Sequence, residues 1–336
     1  MKYVYVLVSD ESDYYYEQTL LSINSLRMQI PNAYISLLVD SETEKNLKGK
    51  RNLIINLINE LKSIVIIDFY EKKARSRYLK TSVRQNLSGD FVFIDSDTVI
   101  AKDISVLENI DIFLGAVLNE HTTLSDLKNY NPIYYDEMQA LDIKLNFTST
   151  INSNTYFNSG LILCKDCTLG NTFYNEWHSL WLNGYKLNNV TDQQAFNQAN
   201  YNLDNVIKEL GGEWNCQILA DGGIRYLHTA NIIHYFNSMK EENPYLLGSY
   251  NVLEKIKRTG FIDQDTLDML KDPKSLFSKN TRLKVINKNL RKFNKSITYI
   301  IVFYVFNTKF GEIIEILLYI LYKKIVKPLK NFFKSF

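Results

Sequence analysis

The sequence has few cysteines and lacks the glycine-rich loops that commonly bind phosphate. The three cysteines in 336 residues, Cys164, Cys167 and Cys216, form no disulfide framework. Cys164 and Cys167 are spaced as C-x-x-C, but a zinc or redox site would need a second cysteine pair or nearby histidines, which are absent. Neither G-x-G-x-x-G nor a Walker A loop occurs. A phosphate-bearing ligand would therefore have to be bound by a metal ion or by basic side chains.

Long apolar runs are missing from the C-terminal part, where a membrane segment would be sought. Residues 297–306 and 313–322 are apolar, but each run is about half of the roughly 20 residues that a spanning helix needs. Asn307, Lys309 and Glu312 lie between the runs and would be costly in hydrocarbon. Basic residues flank both ends, so we expect an amphipathic segment lying in the membrane interface. A partner-binding helical tail is the alternative.

Charge is distributed unevenly along the chain. Residues 279–336 contain 13 Lys and Arg against two acidic residues, a net charge of +11 that leaves −9 on the rest of the chain. An acidic body with a basic tail is not the pattern of a nucleic-acid-binding protein. It predicts one soluble domain at 1–270 and a basic, amphipathic, membrane-associating tail at 271–336. The chain begins directly with a strand pattern, so we expect no signal peptide and a cytoplasmic protein, peripheral on the inner face of the membrane.

Apolar patterns alternate between the periods of strands and helices over the first hundred residues. Strands are predicted at 3–8, 33–39, 64–69 and 91–94, and helices at 14–29, 42–61 and 74–87. This order predicts an α/β fold with a mostly parallel, doubly wound sheet flanked by helices. Residues 119–154 resemble a loop-rich insertion. Further on we predict a strand at 156–164, a helix at 173–182, a helix capped by Thr191, and a strand at 232–236.

Polar residues follow two of these strands at the edge where such sheets bind ligands. Ser9 and Asp10 end the first strand, and Asp95 and Asp97 follow the fully apolar strand at 91–94. In an extended segment, residues i and i+2 point to the same side, so Asp95 and Asp97 can converge on one divalent cation. A solvated turn at the strand end is the competing interpretation. His234, on a late strand, is a candidate third ligand suited to Mn²⁺, or else a hydrogen-bonded core histidine.

Six motifs in order along the chain resemble those of GT-A-fold glycosyltransferases, in particular glycosyltransferase family 8. That family includes bacterial lipopolysaccharide galactosyl- and glucosyltransferases and the glycogenins. The matching segments read RYLK at 77–80, FVFIDSDTVI at 91–100, YFNSGLIL at 156–163, TDQQAFN at 191–197, WN at 214–215 and IIHY at 232–235. Gln194 stands where the family has a second acid. Asn237 replaces a glycine, and Glu241 and Glu242 replace a Pro-Trp pair.

The resemblance implies a role for each matching residue. Asp95, Asp97 and His234 would bind Mn²⁺ or Mg²⁺, and Asn158, Asp192 and Gln193 would contact the donor sugar, with Gln193 near the anomeric carbon. The remaining donor-binding candidates are Ser9, Asp10, Arg77, Lys80, Arg84, Ser96 and Lys240.

The expected reaction is metal-dependent, retaining transfer of a hexose, glucose or galactose, from a UDP-sugar. The acceptor would be a saccharide or glycolipid in lipopolysaccharide, capsule or other surface-glycan synthesis. Two alternative functions remain open. Residues 95–99 also fit the D-x-D-x-[TV] pattern of haloacid-dehalogenase-like phosphatases, which place it on the first strand of their domain. The chain could also bind a sugar nucleotide without catalysis.

Overall fold

The structure of the protein is a computed structural model. It describes residues 1–220, 223–236 and 243–277, and in the C-terminal part 297–298, 301, 305, 308–321 and 324–325. The chain divides into two compact units, Met1–Lys284 and Val285–Phe336.

The first unit is a mixed α/β domain. Among its described residues the strands are β1 (Lys2–Leu7), β2 (Tyr34–Asp40), β3 (Glu60–Ile64), β4 (Phe91–Ile94), β5 (Thr98–Ile100), β6 (Leu114–Leu118), β7 (Phe157–Cys164), β8 (Lys208–Leu210), β9 (Cys216–Gln217) and β10 (Ile232–His234). The helices are α1 (Tyr15–Gln29), α2 (Ser41–Asn46), α3 (Lys72–Thr81), α4 (Val83–Asn86), α5 (Leu124–Tyr130), α6 (Pro132–Lys144), α7 (Ser149–Asn152), α8 (Thr168–Lys186), α9 (Gln193–Asn202), α10 (Ile224–Leu227), α11 (Tyr250–Thr259) and α12 (Gln264–Lys271).

The central sheet has the strand order β3-β2-β1-β4-β7-β6-β8 in the described part of the chain. Every neighbouring pair is parallel except the two that involve β7, which runs antiparallel to β4 and β6. The predicted α/β fold with a mostly parallel sheet flanked by helices is therefore confirmed. A smaller sheet has the order β5-β10-β9.

Two apolar clusters cover the faces of the central sheet. One contains Tyr5 and Leu20 and joins β1 to α1 and the smaller sheet. The other contains Phe93, Trp177 and Phe196 and joins the opposite face to α3, α8 and α9. Because β4 is buried on both faces, its four residues are all apolar, as expected for a central strand of such a sheet.

The region between β2 and β3 differs from the sequence-based prediction. The helix expected at 42–61 is only the short α2, which Asp40 caps by accepting the Thr43 N–H at 2.8 Å. Two 3₁₀ turns follow, at Gly49–Arg51 and Leu53–Leu57. β3 then begins at Glu60, four residues before the predicted strand at 64–69. The residues that pair with β2 are 60–64, so most of the apolar stretch on which the prediction was based lies after the strand.

Three other predicted elements also differ. The helix expected at 74–87 is broken into α3 and α4 at Ser82, whose hydroxyl donates back to the Tyr78 carbonyl at 2.7 Å. The segment 119–154, expected to be loop-rich, contains α5, α6 and α7. α9 has Asp192 at its N-cap position, whereas the predicted cap Thr191 bonds Asn189 through its hydroxyl.

The second unit contains a helix, α13, at Lys309–Leu321. In the part of the chain that the structure describes, no helix combines the length and apolar character needed to cross a bilayer. The proposed boundary at 270 stays a prediction.

Candidate metal and ligand site

A cleft of about 640 Å³ opens at one edge of the central sheet. β1 and β4 are parallel and both end at this edge, whereas the antiparallel β7 passes it near Gly160. The Asp95 N–H donates to the Gly160 carbonyl at 2.9 Å, which joins the end of β4 to β7. The cleft thus lies at the carboxyl ends of the strands, where the sequence pattern places a site.

Asp95, Asp97 and His234 come together in this cleft. One potential ligand atom from each of the three lies within 4.8 Å of the others. β10 pairs antiparallel with β5 so that His234 stands opposite Thr98, the residue after Asp97. His234 Nε2 is 3.1 Å from Asp97 Oδ1, and its side chain is buried whereas the two carboxylates are partly accessible. Two carboxylates and one imidazole are a donor set that suits Mn²⁺.

A directed chain of hydrogen bonds orients the imidazole of His234. The Gly160 N–H, which can only donate, bonds Asn158 Oδ1 at 2.9 Å. This oxygen also accepts from Asn215 Nδ2 at 2.9 Å, so the Asn215 carbonyl oxygen faces His234 Nδ1 at 3.0 Å and must accept its proton. The tautomer is thereby fixed with the proton on Nδ1. The Nε2 lone pair is left to face Asp97, as a metal ligand requires.

Gly160 is needed here because a larger residue would not fit. A Cβ at this position would lie 2.5 Å from His234 Cε1 and 2.8 Å from Asn158 Oδ1, closer than real Cβ contacts. The absence of a side chain at Gly160 lets the imidazole lie directly on β7.

A buried group of charges lies beside the three candidate ligands. Lys80 is only 2% exposed, and its Nζ is 2.9 Å from Asp95 Oδ1 and 3.4 Å from Asp192 Oδ2. Arg77 Nε is 2.8 Å from Asp192 Oδ1, and the Ser159 hydroxyl donates to Asp192 at 2.8 Å. Burial alone would raise the pKa of Asp192, but the positive charges of Lys80 and Arg77 lower it to about 2. Asp192 is therefore ionised at neutral pH and acts as a hydrogen-bond acceptor.

Asn158 and Gln193 also line the cleft, and their contact with a donor sugar stays a prediction. Asn158 Nδ2 donates to Gln193 Oε1 at 3.3 Å and to Asn119 Oδ1 at 3.4 Å. The amide that helps to orient His234 is thus the same one that contacts Gln193. Ser96 lines the cleft between the two aspartates and accepts a hydrogen bond from Thr19 at 2.8 Å.

Ser9 and Asp10 are not among the described residues that line the cleft, but each forms a hydrogen bond with a residue that does. The buried Ser9 hydroxyl donates to Asp13 Oδ1 at 2.6 Å. Asp10 accepts from the Ser12 hydroxyl and pairs with Lys72 at 2.9 Å, and these contacts hold its pKa well below the usual value. Ser12 and Asp13 line the cleft in their place.

Arg84, another expected donor-binding residue, is not among the described residues that line the cleft. Its guanidinium donates to the Gly89 carbonyl at 2.8 Å, lies 4.4 Å from the Phe91 ring and 3.6 Å from Asp166. These residues surround the amino end of β4, at the opposite edge of the sheet. Lys240, the remaining donor-binding candidate, lies outside the described residues.

Several cleft residues were not singled out from the sequence. One of them is Lys73, which lies four positions before Arg77 and seven before Lys80 on α3, so that the three side chains line the cleft as one positively charged helix face. Helical spacing could have revealed Lys73. Gln18, Lys72 and Phe236 also line the cleft, and no local pattern indicates them.

Comparison with solved structures agrees with this architecture. The apo structure of the bifunctional glycosyltransferase WbbM is 17% identical over 82% of this chain and 52% of its own length, with a TM-score of 0.50. This chain therefore spans about half of WbbM, and the likeness shows the fold. Also similar are GlyE of Streptococcus pneumoniae (15% identity, 84% of this chain and 65% of that one, TM-score 0.47) and an active-site mutant of LgtC (12% identity, 79% and 98%, TM-score 0.47). No curated protein sequence matches the chain.

The sequence profile of glycosyl transferase family 8 matches residues 6–241, which is more than half of the chain and includes the whole cleft as described above. Enzymes of this family use nucleotide-sugar donors and a divalent metal. The chain belongs to glycosyl transferase family 8 and is a glycosyltransferase.

Proposed function

We propose that the protein transfers a hexose, glucose or galactose, from a UDP-sugar to a saccharide acceptor in a metal-dependent reaction that retains the anomeric configuration. The observation that carries this proposal is the convergence of Asp95, Asp97 and His234 within 4.8 Å at the floor of the cleft. The orientation of His234 by Asn215 supports a metal-binding role over a purely structural one.

The charges of the cleft support a diphosphate ligand. Four carboxylates and four Lys or Arg side chains line its described part, namely Asp13, Asp95, Asp97, Asp192, Lys72, Lys73, Arg77 and Lys80. A divalent cation, Mn²⁺ or Mg²⁺, bound by the three ligands would stabilise the negative charge that develops on the departing diphosphate. The charges of these eight side chains cancel, so a bound cation would give the cleft a net positive charge. A nucleoside diphosphate is negatively charged and would be attracted to it. Arg77 and Lys73 can donate to phosphate oxygens from the helix face on the cleft wall.

The other half of the cleft fits the donor sugar. Asp192 is ionised and buried, so it can accept hydrogen bonds from sugar hydroxyls but has no proton to give at neutral pH. Asn158 supplies a further amide, and Gln193 would lie near the anomeric carbon. The nucleoside would then occupy the β1 side, near Asp13. The departing phosphate would take the acceptor proton, so no protein base is assigned.

The C-terminal part suggests where the acceptor is found. α13 exposes Phe310, Ile313, Leu317 and Leu321 within a basic segment. An apolar helix surface among basic residues suits binding at an anionic membrane interface. We propose a glycolipid-linked acceptor for lipopolysaccharide, capsule or another surface glycan, with the protein peripheral on the inner face of the cytoplasmic membrane.

A screen of UDP-, GDP- and dTDP-sugars, for binding and hydrolysis with and without Mn²⁺, tests the proposal. We expect turnover of a UDP-hexose that requires the metal and is lost in Asp97→Ala but retained in the control Asp265→Ala, whose exposed carboxylate lies on α12. Binding without turnover would favour the non-catalytic interpretation, and failure to bind any nucleotide sugar would refute the proposal. The phosphatase interpretation is disfavoured already, because three strands precede β4.

A further inference from the structure

Tyr14 stands between two residues that line the cleft, while its own side chain contacts α11. Asp13 and Tyr15 are among the described residues of the cleft lining, and Tyr14, at the N-cap position of α1, is not. The Tyr14 hydroxyl donates to Glu254 Oε2 at 2.6 Å. Its ring meets the Tyr250 ring edge-on, with 5.8 Å between the centroids. Because both neighbours of Tyr14 line the cleft, a shift of Tyr14 would move them with it.

Lys257 makes two contacts with the same segment. Its Nζ donates to the Asp13 carbonyl oxygen at 3.0 Å and lies 4.4 Å from the centroid of the Tyr14 ring. Both contacts suit an ammonium group, because the oxygen accepts a charge-assisted hydrogen bond and the face of the ring attracts a cation. Tyr250, Glu254 and Lys257 occupy positions i, i+4 and i+7 of α11, so a single face of this helix holds the segment.

α11 is itself anchored in the first unit. Leu253 and Ile256 are 1% and 2% exposed and belong to the apolar cluster that joins β1 to α1. The last turn of α11 is attached to the region between β2 and β3, where Lys50 Nζ donates to the Arg258 carbonyl at 2.6 Å. The helix is therefore a fixed support for residues 13–15.

The side chain of Asp13 is held by other parts of the chain. Its carboxylate accepts from the Ser9 hydroxyl at 2.6 Å and from Lys72 Nζ, on α3, at 2.7 Å. These bonds hold the carboxylate, whereas Lys257 holds the main chain of the same residue. α3 and α11 thus fix the two parts of Asp13 separately.

We propose that α11 positions the nucleoside end of the cleft for the donor, with Lys257 as the positioning residue. This inference rests on the proposed function, which places the nucleoside near Asp13. Lys257 is not among the described residues that line the cleft, so it acts through Asp13 and Tyr14. A segment that is already ordered in the free protein does not have to be ordered when the ligand binds, and the affinity for the ligand is higher for that reason.

Calorimetric titration with UDP, in the presence of Mn²⁺, tests this role. The variant Lys257→Met keeps the length of the side chain and removes its charge and its hydrogen-bond donor. We expect it to weaken UDP binding about 10-fold, as for the loss of one hydrogen bond to a charged group. The affinity for Mn²⁺ alone should stay within about 2-fold. With a donor that is turned over, KM should rise while kcat stays within about 2-fold.

Two further variants separate positioning from a general effect on α11. Lys257→Arg keeps a cationic donor and should recover most of the UDP affinity. Lys255→Met is the matched control, the same change two positions earlier on α11, where the lysine pairs with Asp263. It should bind UDP like the wild type.

Unchanged UDP affinity in Lys257→Met would overturn the role of α11, even if the variant unfolds at a lower temperature, because the helix would then be structural support only. Equal losses in Lys257→Met and Lys255→Met, or no recovery in Lys257→Arg, would overturn it as well. If Lys257→Met fails to fold, Tyr14→Phe removes only the hydroxyl that bonds Glu254 and should weaken UDP binding about 3-fold; unchanged affinity there has the same meaning. Wild-type protein that binds no UDP would instead refute the proposed function.

Discussion

The substitution Gly160→Ala tests how the fold builds the metal site. The new Cβ would lie 2.5 Å from His234 Cε1 and 2.8 Å from His234 Nδ1. Ordinary carbon contacts are about 3.5–4.0 Å, so the imidazole must move by roughly 1 Å. That movement breaks the 3.0 Å hydrogen bond to Asn215 and shifts Nε2 away from Asp97.

The expected effect is a loss of Mn²⁺ affinity of about 10–100-fold, the range found when the support of a metal-binding histidine is removed. Calorimetric titration of the purified protein with Mn²⁺ measures it directly. Gly184→Ala is the matched control, because a Cβ there meets nothing closer than 3.7 Å and the residue lies within α8. The control should bind Mn²⁺ like the wild type.

A double substitution separates displacement of the histidine from general damage. If Gly160→Ala acts through His234, adding it to His234→Ala should cause little further loss of Mn²⁺ affinity, since both changes remove the same ligand. Circular dichroism and thermal unfolding verify that the variants are folded. A folded Gly160→Ala protein with wild-type Mn²⁺ affinity would show that His234 is not a ligand or is not held as described.

Three further substitutions follow, two at the site and one at a buried carboxyl group outside the cleft lining. Asn215→Leu removes the acceptor of His234 Nδ1 and should lower Mn²⁺ affinity by about 10–100-fold in the same titration; an unchanged affinity would contradict the proposed orienting role. Asp192→Asn should lower kcat/KM for the sugar donor at least about 100-fold while UDP affinity stays within a few-fold, because the proposed function places the donor sugar, and not the nucleotide, against Asp192; a large loss of UDP affinity alone would refute this division. Burial raises the pKa of Glu17 from 4.5 to about 7, so the folded state retains its proton over that range and loses stability as pH rises through it. Glu17→Gln should therefore increase the free energy of unfolding by up to roughly 3 kcal/mol at pH 8 and by almost nothing at pH 4; equal urea-unfolding curves for the two proteins at pH 8 would contradict it.

The sheet, and the position of the two aspartates at its edge, could be predicted because their signals are local. Asp95 and Asp97 follow a fully apolar strand, and alternation of strand and helix patterns sets the parallel order. The boundaries of β3 could not be predicted, since hydrogen bonding to β2 decided them. Val65 and Ile67, which the apolar pattern placed in the strand, are 74% and 77% exposed.

Arg84 shows how a break in a predicted helix changes the direction of a side chain. In an unbroken helix Arg84 would lie one turn after Lys80 and share its face. The break at Ser82 between α3 and α4 removes that relation, and Arg84 turns toward the Gly89 carbonyl instead. The apolar pattern that predicted one helix at 74–87 gave no indication of this break.

The hydrogen bonds that orient the imidazole of His234 join residues that are far apart in the sequence. Asn215 is separated from Asn158 by 57 positions and from His234 by 19, so only the folded chain shows that it connects them.

A crystal of the protein grown with Mn²⁺ and UDP tests the central claim most directly. An anomalous difference map at the manganese absorption edge should show one peak within about 2.0–2.4 Å of a carboxylate oxygen of Asp95 or Asp97 and of His234 Nε2, with the diphosphate beside it. UDP in the cleft without a peak at these residues, or a peak bound to other side chains, would contradict the account.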